Sequence, residues 1–188
     1  MLPNQRIKEA EVNVKTYLAE GLLKKTPANK NIIKVFLSNA RESLKVAEEI
    51  NQQKISALWT IVCSYYAMYY HVNAVLNSTG FKVGDKIVHK VTSDALMVYV
   101  RSKLQSSLLE EYEETMEEAM SLAGSKADEI IESFDYERIK RSRIQYQTLE
   151  QDKQTKAATS LKRAKEFSKE MDKLLLENTA KKWNTGQE

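Results

Sequence analysis

A chain of 188 residues is long enough to bury a core of its own, and its five Gly and two Pro are too few for a turn-rich β fold. One cysteine excludes an intrachain disulfide, and two histidines beside it leave too few soft ligands for a zinc site. The net charge of +3 is unevenly spread: residues 1–104 carry 15 basic and 8 acidic side chains, 105–137 carry 1 and 11, and 138–188 carry 13 and 7. Such a pattern reflects either solvated helix faces or a polyanion-binding surface beside a repulsive one.

In chain order, residues 4–23 read as a helix with Ile7, Ala10, Val14, Leu18 and Leu22 on one face; Lys24 and Lys25 complement its C-terminal end and Thr26-Pro27 stops it. The N-terminus is polar and mixed in charge, so no cleavable signal is expected and a cytoplasmic location is. A second helix, 31–52, turns Ile33, Phe36, Leu37, Ala40, Leu44, Ala47 and Ile50 inward. The central stretch, Ile55 to Leu76, lies in a run without Asp, Glu, Lys or Arg between Lys54 and Lys82. Its Leu58, Val62, Tyr65, Tyr69, Val72 and Leu76 form one apolar stripe, with Trp59, Tyr66 and Tyr70 beside it. Thr60, Ser64 and His71 give it a polar edge that hydrocarbon would not accept, so the central helix of a bundle is expected here and not a membrane span. Cys63, inside this helix, reads as a small buried hydrophobe.

The helix closes at Ser78-Thr79-Gly80, and 80–92 reads as a loop. A fourth helix is expected from Thr92 or Ser93 to Leu104, and an acidic one from Ser107, broken at Ala123-Gly124-Ser125. Further helices follow over 127–144 and 153–177, with a polar tail after Thr179. The sum is an all-α, up-and-down antiparallel helical bundle of about five to seven helices.

Familiar catalytic signatures are missing: no glycine-rich phosphate loop, no Gly-x-Ser-x-Gly, no His-Glu-x-x-His, and no implied metal or cofactor. The most distinctive polar cluster runs from Tyr136 to Tyr146. There Arg138, Arg141 and Gln145 share a helical face, where two guanidiniums can grip a phosphate or neutralise the preceding acidic segment.

Tyr65-Tyr66-Ala67-Met68-Tyr69, with His71 shortly after and a Gly and a His following in the next loop, resembles the core helix of HEPN (higher eukaryotes and prokaryotes nucleotide-binding) domains. Arg141-Ser-Arg-Ile-Gln-Tyr146, ahead of a Lys-rich last helix, occupies the place of that family's later motif. The resemblance covers about residues 32–177. It implies a HEPN-like bundle over 29–179, with residues 1–28 an accessory helix, about 105–125 an acidic insertion and 180–188 a tail. It also implies a homodimer and a basic cleft binding RNA or a nucleotide through Arg138, Arg141, Arg143, Gln145 and Tyr146; Trp59, Tyr66 and Tyr70, which fall off the main core stripe, are the expected interface anchors. Many such domains are metal-independent endoribonucleases whose motif pairs an Arg with a His. Carried over by position, Arg138 (or Arg141) is that Arg and Ile144 stands where the His would be. Some pair with a minimal nucleotidyltransferase that modifies a tyrosine, here Tyr146.

Three readings follow from the resemblance: a binding protein with a degenerate ribonuclease motif; an active ribonuclease toxin of a toxin–antitoxin pair; and an interaction module that touches no nucleic acid. In the second, Arg138 or Arg141 is catalytic and His71 or His89 moves protons.

Overall fold

The computed structural model describes residues 4–132 and 150–184, and the side chains of 4–124 and 153–178. Among these it is an all-α bundle of six α-helices with one small antiparallel sheet: α1 (Asn4–Ala19), β1 (Leu23–Lys25), α2 (Lys30–Gln52), α3 (Ala57–Ser78), β2 (Phe81–Val83), α4 (Val88–Tyr99), a 3-10 turn (Arg101–Lys103), α5 (Ser106–Glu132) and α6 (Glu150–Asn184).

Helix α3 is the axis, as its uncharged sequence requires. Ser56 caps it by accepting from the Trp59 amide at 3.3 Å, and 16 of its 22 residues are buried. Tyr65, Met68, Val72 and Leu76 join Leu109 and Tyr112 of α5 and Phe167 and Met171 of α6 in one core. At the C-terminal end Gly80 takes φ +96°, the left-handed conformation expected of it. Helix α2 runs antiparallel to α3, placing Phe36 against Tyr70, and lays Glu48 against Lys165 of α6 at 2.8 Å.

No helix among the described residues is long and apolar enough to cross a membrane. The Asn29 side chain caps α2 by accepting from the Asn31 and Ile32 amides. Its C-terminus closes with the Lys54 amide on the Asn51 carbonyl and the Ile55 amide on that of Ile50. This paired closure puts Lys54 at φ +53°.

Several boundaries differ from the sequence expectation. Helix α1 stops at Ala19, and Leu23 turns inward as part of β1, fully buried, instead of continuing the helix. Helix α4 begins at Val88, so Thr92 and Ser93 are buried inside it rather than capping it. Their hydroxyls are used laterally: Thr92 accepts from Asn73, and Ser93 bonds Glu113 and Arg6. Helix α5 runs unbroken through Gly124, around which a Cβ would meet nothing within 4 Å. A lone glycine costs only about 1 kcal/mol in a helix, too little to break 27 residues. The rest of the helix expected over 127–144 lies outside the described residues. Helix α6 extends at both ends of its expected range, reaching Asn184 inside the expected polar tail.

Helix α1 is held by charge as well as packing. Arg6 bridges Asp94 of α4 and Glu113 of α5, both at 2.7 Å, while Tyr17 and Asn13 donate to the second oxygen of Asp94 at 2.9 and 3.0 Å. Ala10, Val14 and Tyr17 add the apolar contact.

Candidate functional site: the open face of the central helix

On a largely enclosed α3 one stripe stays open, with Leu58 and Tyr69 half-buried beside it. Trp59, Cys63, Tyr66 and Tyr70 recur at steps of four, three and four, the spacing of a helix–helix seam. Trp59 is 56% exposed and the other three are half-buried among the described residues. Farther along the same face the helix is covered again: Asn73 reaches Thr92, and Asn77 accepts from the Asn29 amide at 2.9 Å. The open stretch therefore spans about three turns, roughly 17 Å at 1.5 Å per residue.

The stripe is framed by aromatic rings. On one side Phe36 of α2 stacks on Tyr70 at 6.3 Å. On the other, His89 in the first turn of α4 lies 5.8 Å from Tyr66, 5.0 Å from Tyr69 and 5.5 Å from Tyr65. Burial raises the Tyr65 phenol well above its ordinary range, so it stays protonated, and its hydroxyl shares a 2.7 Å hydrogen bond with His89 Nδ1. Burial also lowers the His89 pKa, so the half-buried ring is neutral near pH 7. Cys63, on the stripe, is pushed up by burial and stays a thiol, unsuited to nucleophilic attack.

His71 faces elsewhere. It is 1% exposed, its Nδ1–H donates to the Ala67 carbonyl at 2.9 Å, and Nε2 lies 3.5 Å from Asp172 of α6. Desolvation outweighs the nearby carboxylate and lowers its pKa. An imidazole so enclosed between α3 and α6 reaches no substrate without opening the bundle. His89, which the sequence offered only as a loop residue, is the histidine at the open face. The signal that could have placed it is its position in the first turn of an amphipathic stretch, Val88 to Tyr99.

Of the other sequence-predicted residues, Trp59, Tyr66 and Tyr70 are brought together on the stripe. Arg138, Arg141, Arg143, Ile144, Gln145 and Tyr146 lie outside the described residues. Among the described residues no group of three His, Cys, Asp or Glu side chains is placed to hold a metal ion. No protein-family model, no curated protein and no solved structure matches the chain.

Proposed function

We propose that this chain is a HEPN-like protein that pairs with a second copy across the open face of α3 and binds RNA or a nucleotide in a basic cleft beside that seam. The observation that carries the reading is the Trp59–Cys63–Tyr66–Tyr70 stripe. Large aromatic side chains left half-open on the most buried helix, at seam spacing, are what a partner helix covers. The resemblance of Tyr65-Tyr66-Ala67-Met68-Tyr69 to the HEPN core helix adds the nucleic-acid or nucleotide ligand, and the Arg138–Tyr146 cluster supplies its phosphate contacts. With isoleucine at position 144 and His71 enclosed, cleavage is weak or absent. A minimal nucleotidyltransferase is the partner that the resemblance adds.

One observation favours the ribonuclease reading as the second choice. His89 is half-buried at the open face and oriented by Tyr65, as a proton-transfer group would be.

Sedimentation equilibrium together with RNA and nucleotide titration tests the proposal. A two-chain mass and a salt-dependent affinity are expected, and a strict monomer that binds neither ligand would overturn it. Chelator-resistant cleavage abolished by His89→Ala would move the conclusion to the active nuclease.

A further inference from the structure

The small sheet pairs residues of like charge. In its antiparallel register Lys24 of β1 lies directly opposite Lys82 of β2, flanked by the pairs Leu23–Val83 and Lys25–Phe81. Leu23 is fully buried and Phe81 stacks on Tyr99 at 3.9 Å, so this face of the ribbon is turned inward. Lys24 and Lys82 therefore stand together on the outward face, and both are exposed. Directly opposed side chains have Cβ atoms about 5 Å apart, and like charges in that position weaken a sheet.

The ribbon tolerates this repulsion because its backbone is fixed at both ends. Thr26 donates to the Gly80 carbonyl at 3.0 Å and Gly84 to that of Leu22 at 2.8 Å. A Cβ at Gly84 would come within 3.1 Å of that same carbonyl, so any larger residue there would press on the ribbon's end.

Nothing described neutralises the pair. Lys25, Lys86 and Lys90 are also exposed nearby, and between 20–29 and 80–91 the only carboxylates are Glu20 and Asp85. None of the five lysines forms an ion pair among the described residues, whereas Lys45, Lys162, Lys165 and Lys173 each do. In sequence Lys86 and Lys90 flank His89, whose ring meets Tyr66 at the edge of the stripe and Tyr69 beside it.

We propose that the β1–β2 ribbon is a phosphate track for single-stranded nucleic acid. Lys24 and Lys82 converge on one backbone phosphate, and Lys86 and Lys90 carry the strand toward His89 and Tyr69, beside the α3 seam and outside the stripe that a second copy covers. Two ammonium groups with no carboxylate between them form a site for a shared anion, and aromatic rings at the end of a basic track suit unpaired bases. An anionic bilayer fits less well, because Ile87 is the one strongly exposed aliphatic side chain in this region and offers little area to bury in lipid. The inference rests on the RNA-binding part of the proposed function and adds where the strand runs.

The test is a salt titration of the full chain with a labelled oligouridine, its DNA counterpart and phosphatidylserine vesicles. Lys24→Gln/Lys82→Gln/Lys86→Gln should weaken oligonucleotide binding about tenfold or more. It should also flatten the log–log salt slope by roughly 1.4, since two phosphate contacts are lost and each single-strand contact is worth about 0.7. The matching control, Lys156→Gln/Lys162→Gln/Lys169→Gln on α6, should leave affinity within about twofold. Lys82→Glu gives a second, independent readout. It replaces repulsion by attraction opposite Lys24, so the melting temperature should rise while binding falls. DNA should bind comparably, because lysines read phosphates. Equal losses in both triple variants, an unchanged ribbon variant, or vesicle binding that alone depends on the ribbon would overturn the track while leaving RNA binding elsewhere intact. A wild-type chain that binds no oligonucleotide would remove the RNA reading and the track together.

Discussion

At the scale of single residues, Lys54 and the two histidines carry measurable consequences. Lys54 sits just past α2 at φ +53°, inside the paired closure that glycine normally occupies. A Cβ there costs about 1 kcal/mol, and the exposed side chain forms no ion pair among the described residues, so little is lost on removing it. Lys54→Gly should therefore raise unfolding stability by about 0.5–1 kcal/mol in urea titration. A decrease would mean that the tight turn into α3 is held otherwise.

The histidines give the fold its pH dependence. Both His71 and His89 have pKa values lowered by burial, so the unfolded chain binds protons more readily than the folded one. Their contribution is fully present above the unfolded value near 6.5 and is lost as pH falls through the lower folded values. The melting temperature should drop between pH 7.5 and pH 5, and His71→Gln should flatten that drop. An identical pH slope in the variant would show that His71 does not titrate on unfolding.

At the scale of elements, the junction between α1, α4 and α5 depends on Arg6. Asp94 is 0% exposed, and its charge is met by Arg6, Tyr17 and Asn13. Arg6→Ala strands a carboxylate in the core, and removing one partner of a buried pair typically costs about 3–5 kcal/mol. Chemical denaturation should show a loss near the lower end of that range, because Arg6 itself is partly exposed. Combining Arg6→Met with Asp94→Leu should recover only part of it, since the apolar pair removes the stranded Asp94 charge but leaves Glu113 without Arg6 and Tyr17 and Asn13 without the acceptor they share. If Arg6→Ala alone is nearly neutral, the apolar contacts of Ala10, Val14 and Tyr17 hold α1 by themselves.

At the scale of the whole molecule, the proposed pairing across the open face of α3 can be tested at Trp59. Trp59 is the most exposed residue of the stripe, and tryptophan truncations at interface centres often cost 2 kcal/mol or more, roughly thirtyfold in affinity. Trp59→Ala should raise the dimer dissociation constant by about that factor in sedimentation velocity, while leaving the helical circular dichroism unchanged. Dimerisation unaffected by Trp59→Ala and by Tyr66→Ala would place the contact on another surface.

The all-α class, the central position of α3, its Gly80 end and the inward faces of α1 and α2 were legible in the sequence. A 27-residue stretch free of Asp, Glu, Lys and Arg, in a chain that is 29% charged, can only be the interior of a bundle or a membrane span, and its polar edge chose between them. Periodicity also separated Trp59, Tyr66 and Tyr70 from the main core stripe. It could not say which neighbouring helix would leave them open, because that depends on where α2 and α4 pack. The three-residue strands were invisible for a related reason. Their partners, Leu23–Lys25 and Phe81–Val83, are far apart in sequence, and segments so short carry no alternation to read. Tertiary structure alone brought Lys24 opposite Lys82, turned His71 into the core and set His89 against Tyr65, since each of these outcomes is fixed by packing between elements and not by the propensity of any one of them.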